Sequence, residues 1–378
     1  MAQCPAKFRP MVQRDCNAAW ATIESATVDG EARRAAWTNW SRYAQQCQID
    51  PWMRYFNKAL QQTYLLAFPA QVRTGIYGRA VQVGSQTVEK ALRHVAQTLL
   101  LAGFDDPRRT YGAKELDLPF QHLLKGYKEQ DPAPKPQLAL PVATIEHAGA
   151  YHQAPHNALT RATADLTTIA FFFLLRVGEY TMPRRNVRTR TEQFRVQDVT
   201  FRRNDLVIPN TAPLDQLALA ESVTLYLDNQ KNGQRGATIY HTACPTWFCP
   251  FKALARRVSN IMSQGGASTT MLSHVGPGTH VVGKHINTLL HRAASKTNLV
   301  AQGYDLKRIG SHSLRASGAM ALKLQGVDDS LIMKIGRWTG LTFLTYIHAQ
   351  IGALNTGLAQ RMSVRIHFVN VGGVNVAG

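Results

Sequence analysis

The chain has 378 residues and a net charge of +19, from 43 Lys and Arg against 24 Asp and Glu. It is 45% hydrophobic, so it is long and apolar enough for two domains with their own cores. So basic a chain excludes an acidic solvating protein and argues against a generic metabolic enzyme. It favours a polyanionic partner, with nucleic acid ahead of an anionic membrane surface.

The sequence disfavours three further classes of protein. The longest uninterrupted apolar run, residues 169–175, is far below the ~20 residues that a spanning helix needs, so no membrane partner is expected. The first ten residues lack the hydrophobic core of a secretory signal, so the protein is not expected to be secreted. His241, Cys244 and Cys249 lie close together, but no second ligand pair at zinc spacing follows, so no metal site is expected.

The first 130 residues are predicted to form an all-helical domain. Residues 1–30 show no clear period and are predicted to include a flexible start, whereas residues 31–47 and 55–73 have helical patterns, the second interrupted at Pro69. Residues 88–99 have the strongest helical period, with Ser85 as the N-cap and Gly103 as the end. Residues 116–127 are predicted to form one more short helix.

A proline-rich stretch over residues 131–143 predicts an extended linker, because prolines at this spacing preclude a helix. A second domain is predicted over residues 144–362, followed by a C-terminal tail over 363–378. It opens with a helical pattern from Leu166 to Val177.

Short strands are then predicted over 205–209, 221–228 and 237–241, with Asn232-Gly233 as a hairpin turn, and helices from 250 to about 360. The expected fold class is mainly α with a small antiparallel β-sheet, the second domain being α+β.

The positive charge is concentrated in the second part of the chain. Residues 1–150 hold 18 Lys and Arg against 13 Asp and Glu, whereas residues 151–378 hold 25 against 11. The basic residues there are mostly arginines, whose planar guanidinium matches phosphate better than an ammonium does.

Four fragments of the second domain carry side chains suited to chemistry on a phosphate. LLRVGEY contains Arg176 and Glu179, DNQKNGQRG contains Lys231, HSLRASGA contains His312 and Arg315, and IGRWTGLTFLTYIH contains Trp338 and Tyr346. Taken separately, each fragment has an ordinary explanation: a surface ion pair, a solvated turn, a chance pairing or a core tyrosine.

Taken in order, Arg…Lys…His-x-x-Arg…Trp…Tyr resembles the tyrosine recombinase family across the whole second domain. Trp338 lies 23 residues after Arg315, where the family carries His or Trp, and Tyr346 follows eight residues later, near the family's nucleophile position. The fragments FFFLLRVGEY, CPFKAL and HSLRASGAMAL are similar to recombinases of eukaryotic mobile elements of Crypton or DIRS type. The chain has Ile-Gly-Arg-Trp where bacterial members often have Leu-Gly-His, and the added Arg337 is either a phosphate contact or a surface residue.

The resemblance implies a two-domain DNA clamp that cleaves and rejoins DNA site-specifically through a 3′-phosphotyrosyl intermediate, with no metal, ATP or other cofactor. Two guanidiniums suit the negative charge that develops on the phosphate oxygens, which makes Arg176 and Arg315 the candidates. The remaining expected roles are nucleophile for Tyr346, proton acceptor for His312, general acid for Lys231, indole N–H donor for Trp338 and orienting partner for Glu179.

The resemblance also implies partners: double-stranded DNA, and a homotetramer on DNA assembled as a dimer of dimers. Residues 351–362 are predicted to form a helix that docks either on a neighbouring subunit or on its own domain. Further candidate contacts to the DNA backbone are Arg73, Arg79, Arg93, Arg108, Arg109 and Arg337. A eukaryotic element would act in the nucleus; otherwise the protein is expected in the cytoplasm with DNA.

Three alternatives remain open at the level of the sequence. A type IB topoisomerase or telomere resolvase would use a similar set of residues. A domesticated element that only binds DNA would keep them without activity. A ribosomal or RNA-binding protein would explain the charge but not the ordered set of residues.

Overall fold

A computed structural model of the chain describes residues 8–26, 30–78, 81–133, 137–155, 157–183, 191–227, 236–338, 340 and 344. The chain divides into two compact units, Met1–Pro134 and Lys135–Gly378, and the division falls inside the proline-rich stretch 131–143. None of the helices described is both long and apolar enough to span a bilayer.

All regular α or β elements described in the first unit are α-helices. They are α1 (Arg9–Ala26), α2 (Gly30–Gln46), α3 (Lys58–Arg73), α4 (Ser85–Leu101) and α5 (Leu118–Gln130). The four helices predicted from periodicity are therefore present, with small shifts at their ends. Residues 9–26, for which no period was predicted, form α1 without a regular apolar stripe.

Two local predictions in this unit are wrong. Pro69 lies inside α3 and does not interrupt it, since a missing N–H costs one hydrogen bond of the helix while the buried ring packs in the core. The N-cap of α4 is Gly84, and Ser85 is the first helical residue. The core centres on Trp40, which is fully buried, meets Phe68 edge-on at 5.4 Å and donates from its indole nitrogen to the Pro51 carbonyl.

The second unit is built around a buried helix. Its helices are α6 (Val142–Ala150), α7 (Ala158–Phe172), α8 (Val177–Tyr180), α9 (Leu214–Leu217), α10 (Pro250–Ser263), α11 (Gly283–Lys296), α12 (Ser311–Leu324) and α13 (Asp329–Gly336). Residues 162–171 of α7 are all buried, and α6, α10, α11 and α12 pack around it. A helix buried on all sides needs apolar or small residues, as this stretch has apart from Asp165, which pairs with Arg256 at 2.6 Å.

A four-stranded antiparallel sheet lies in the same unit. Its strands are β1 (Val199–Arg203), β2 (Leu206–Ile208), β3 (Ser222–Leu227) and β4 (Ala237–Thr242), in the order β2-β1-β3-β4. Val223, Leu225 and Leu227 of β3 face the core and β4 is the return strand, as predicted. The predicted turn at Asn232-Gly233 lies outside the described residues.

Three strands were missed by periodicity: β1, and the pair β5 (His274–Gly276) and β6 (Thr279–His280), which interrupts the region predicted as helical from residue 250. The fold is nevertheless mainly α with a small antiparallel sheet, which confirms the predicted class.

A glycine sets the distance between α7 and α12. A Cβ atom on Gly318 would lie 2.5 Å from the carbonyl oxygen of Phe171 and closer still to the Leu174 side chain. Because only glycine fits there, α12 lies directly against the end of α7. This contact places the first two turns of α12 beside the turn that follows α7.

Candidate active site

The turn after α7 holds the first predicted site residue. Leu174 adopts a left-handed backbone, with φ of 49°, and Arg176 is the N-cap of α8. Glu179 is fully buried; its Oε2 accepts from the backbone N–H of Arg176 at 2.8 Å, and its Oε1 lies 3.2 Å from Nη1 of Arg176. Glu179 therefore caps α8 and holds the Arg176 guanidinium at the same time.

Arg315 enters the same turn from α12. Its side chain is buried, and its two terminal nitrogens donate to backbone carbonyls, Nη1 to Leu174 and Nη2 to Gly336. These two bonds join the turn after α7, the start of α12 and the end of α13. The guanidinium of Arg315 is thus fixed by backbone groups on two separate segments.

Arg337 meets the other two arginines from the end of α13. Its backbone is left-handed, with φ of 58°, and its Nη2 donates at 3.0 Å both to the Leu174 carbonyl and to Oε2 of Glu179. The residue is only 5% exposed, so the alternative that Arg337 is a surface residue is wrong. Burial lowers the pKa of Arg337; Glu179 opposes that shift and the charge of Arg176 adds to it.

Trp338 packs on Arg315. The Cζ atom of Arg315 lies 4.3 Å from the centroid of the indole ring, a cation–π arrangement. The ring also lies so close to Gly336 that a Cβ there would overlap it. The lack of a side chain at Gly336 therefore permits the stacking. Nothing in the sequence other than the glycine itself indicated that this position must be small.

His312 lies one turn before Arg315 in the first turn of α12, and its side chain is exposed. The start of that helix is fixed by two side chains: Asn287 accepts from the backbone N–H of Ser311 at 2.8 Å, and Ser313 accepts from that of Gly310 at 3.2 Å. The backbone that carries His312 is therefore held in place.

Of the six predicted catalytic residues, Arg176, Arg315 and Trp338 lie around the turn after α7, together with the supporting Glu179, and His312 lies one turn before Arg315 on α12. Lys231 and Tyr346 lie outside the described residues. The sequence did not reveal that the Leu174 carbonyl accepts from both Arg315 and Arg337, because a backbone acceptor depends on the conformation of the turn and not on the side chain.

The residues His241, Cys244 and Cys249 are engaged in other contacts. The Nε2 of His241 lies 3.1 Å from the Phe172 carbonyl, the backbone N–H of Cys244 donates to Sγ of Cys249, and burial raises the pKa of the Cys244 thiol to about 11. Across the described ranges, no three His, Cys, Asp or Glu side chains are grouped as metal ligands would be.

The arginines proposed to contact the DNA backbone differ in exposure. Arg73 is buried and pairs with Asp131, and Arg108 is buried and bonds both oxygens of Asp106, from Nε at 3.0 Å and Nη2 at 2.9 Å. Arg109 is more exposed, Arg93 is exposed and Arg79 lies outside the described residues. The burial of Arg73 and Arg108 gives them a structural role within the first unit, which the sequence did not predict.

No protein-family model and no curated relative matches the chain. The solved structures similar to it include the integrase of the Tn1549 transposon in complex with transposon right-end DNA. The two share 12% identity over 80% of this chain and 85% of that one, with a TM-score of 0.44.

XerH site-specific recombinase bound to its difH substrate is also similar, with 14% identity over 80% of this chain and 84% of that one and a TM-score of 0.42. XerA recombinase shares 12% identity over 92% of this chain and 96% of that one, with a TM-score of 0.39. The identities and TM-scores are low, so the function proposed below is argued from the residues of this chain and not from these similarities.

Proposed function

We propose that this chain is a tyrosine recombinase, which cleaves and rejoins DNA through a covalent 3′-phosphotyrosyl intermediate. The observation that carries the proposal is the meeting of the LLRVGEY, HSLRASGA and IGRWTG fragments around the turn after α7. Arg315 lies 141 residues from Leu174 in sequence, yet it bonds the carbonyl of Leu174. Residues that the family resemblance selects by order alone are thus neighbours in space.

The reaction proposed is a transesterification that needs no external energy. The hydroxyl oxygen of Tyr346 attacks the phosphorus, the bond from phosphorus to the 5′ oxygen breaks, and a 3′-phosphotyrosyl bond forms. The tyrosine proton passes to His312, and the leaving 5′ oxygen takes a proton from Lys231. A 5′ hydroxyl of a second strand then attacks the same phosphorus and releases Tyr346, so the number of phosphodiester bonds is unchanged.

Arg176 and Arg315 stabilise the transition state in this mechanism. Negative charge builds up on the non-bridging phosphate oxygens, and charge-assisted hydrogen bonds from guanidiniums offset it. The two side chains are already held in place by Glu179 and by the carbonyls of Leu174 and Gly336, so little reorganisation is needed when the substrate binds.

We further propose that the chain serves a mobile element and acts as a tetramer on double-stranded DNA, in the nucleus if its host is eukaryotic. Support for the element comes from the Crypton-like and DIRS-like fragments of the sequence. Support for the DNA substrate comes from the net charge of +19, concentrated after residue 150.

Covalent trapping tests the proposed function. The wild-type protein is incubated with a library of nicked duplexes in which the 5′ product diffuses away, and DNA bound covalently to protein is recovered and sequenced. Covalent complexes are expected for the wild type and for the control Tyr240→Phe, which changes an exposed strand residue, but not for Tyr346→Phe. Equal trapping by Tyr346→Phe would overturn the assignment of the nucleophile.

A second assay separates the proposal from its alternatives. Relaxation of supercoiled plasmid without any recovered target site would favour a type IB topoisomerase. DNA binding without any covalent complex would favour a domesticated binding protein.

A further inference from the structure

The Arg337 guanidinium uses only part of its hydrogen-bonding capacity. A guanidinium has five N–H donors, and Arg337 bonds the Leu174 carbonyl and Glu179 through Nη2 alone. Its Nε and Nη1 are buried and have no hydrogen-bond partner within the described part of the chain. A buried donor without a partner is costly, so an acceptor that this structure does not contain is expected at these atoms.

The charges around Arg337 point to the chemistry of that acceptor. In the described part of the chain, three guanidiniums, those of Arg176, Arg315 and Arg337, surround the turn after α7, and Arg176 and Arg337 share the single carboxylate of Glu179. Arg337 carries its charge out of water and shares its carboxylate with Arg176, so an anion suits its two unpartnered donor atoms. A neutral carbonyl or hydroxyl would satisfy the donors but not offset the charge.

The site is accessible at one edge. Glu179 and Arg337 are fully or almost fully buried, whereas the Arg176 side chain is 20% exposed. Arg176 and Arg337 bind the two oxygens of the same Glu179 carboxylate, so an anion that reaches Arg176 from solvent also comes close to Arg337.

We infer that Arg337 is a further catalytic residue, whose unpartnered N–H groups donate to a non-bridging oxygen of the scissile phosphate beside Arg176 and Arg315. The inference rests on the proposed function, since it takes the anion to be the phosphodiester of the DNA substrate. Glu179 orients Arg337 for this contact, and Trp338, stacked on Arg315, acts as a positioning residue.

A substrate with one charge removed tests the role of Arg337. Two nicked duplexes of a recovered target site are compared: one has the ordinary scissile phosphodiester, and the other has a methylphosphonate there, in which a methyl group replaces a charged oxygen. Arg337→Met is expected to slow covalent complex formation about 10²–10³-fold on the phosphodiester. The loss is expected to shrink at least about tenfold on the methylphosphonate, because less charge then needs to be offset.

Two further variants keep the test decisive. Arg257→Met removes another buried arginine of the same unit, one that bonds the carbonyls of Leu272 and His274. Any decrease in its rate of covalent complex formation should be the same on both substrates. If circular dichroism shows that Arg337→Met does not fold, Arg337→Lys is used in its place. Its rate of covalent complex formation should fall less, and should still fall more on the phosphodiester than on the methylphosphonate.

Wild-type rates with an Arg337 variant, or a loss of the same size on both substrates, would overturn the inference while leaving the proposed function intact. A wild-type chain that forms no covalent complex with any DNA would overturn both.

Discussion

Both units of the molecule bury arginines, but they compensate the charge differently. In the first unit, Arg73 and Arg108 each have a nearby carboxylate, from Asp131 and Asp106. In the second, Arg176 and Arg337 share Glu179, while Arg315 is held by two carbonyls and an indole ring. The difference teaches that burial alone does not identify the role of an arginine, because the two units surround their buried arginines with different numbers of carboxylates.

Glu179→Gln is the strongest test of this comparison. The substitution leaves the buried guanidinium of Arg337 and the partly exposed one of Arg176 without their shared carboxylate, so we expect the free energy of unfolding to fall by about 3–5 kcal/mol, measured by denaturant titration. Glu129→Gln removes an exposed carboxylate 4.0 Å from Lys125 and serves as the control; it should change stability by less than about 0.5 kcal/mol. Equal effects would mean that Glu179 does not carry the charge balance of the site.

Arg176→Ala separates catalysis from binding. We expect the rate of covalent complex formation to fall about 10²–10³-fold while affinity for DNA changes only a few-fold, because in the proposed mechanism the guanidinium acts mainly on the transition state. Arg108→Ala, in contrast, should lower the melting temperature and leave the cleavage rate of the folded protein unchanged. A comparable loss of DNA affinity in Arg108→Ala would instead support its predicted contact with the DNA backbone.

Gly318→Ala tests how the second unit places Arg315. The added methyl group meets the Phe171 carbonyl and the Leu174 side chain, so we expect a loss of about 1–3 kcal/mol in unfolding free energy together with slower cleavage. Gly126→Ala is the matched control: it lies in α5 with open space around it, and alanine there should stabilise the helix by about 0.5–1 kcal/mol. Unchanged stability in Gly318→Ala would show that α12 can move away from α7 without cost.

The smallest effect is expected from pH in the first unit. Hydrogen bonds from Ser85, and then from Arg73, lower the pKa of Asp131 from an ordinary 3.8 to about 2. A carboxyl group whose pKa is lowered by folding stabilises the fold at any pH above its pKa in the unfolded chain. This contribution is therefore lost as the pH falls from about 4 to about 2. The Asp131→Asn variant should be less stable than the wild type at neutral pH, and its unfolding free energy should change less with pH across that window. A stability profile identical to that of the wild type would contradict this.

Much of the fold could be predicted from the sequence where one pattern dominates. Val88 to Leu99 repeats with the helical period, and β3 alternates, so α4 and β3 were found. α1 was missed because its apolar residues form no stripe, and β5 and β6 because two or three residues are too few for a pattern. Pro69 was misjudged because its packing in the core outweighs the lost hydrogen bond, which only the tertiary structure shows.

The site could be predicted in its residue types but not in its connections. The order of Arg176, Arg315 and Trp338 selected side chains that lie around one turn, and Arg315 and Trp338 are in direct contact. The inward turn of Arg337 could not be foreseen, because its left-handed cap position is one that glycine usually occupies. Nor could the roles of Arg73 and Arg108, since nothing near them in sequence distinguishes a buried guanidinium from a solvated one.

The hydrogen bond from Arg337 to the Leu174 carbonyl spans 163 residues of sequence, and the ion pair from Arg337 to Glu179 spans 158. Contacts of such long range cannot form until both ends of the intervening chain have been made. A nascent chain that ends before residue 337 therefore has Arg176 but lacks the completed cluster. Assembly of the site thus depends on synthesis of nearly the whole chain, so premature termination produces a basic polypeptide without the arginine cluster on which the proposed cleavage depends.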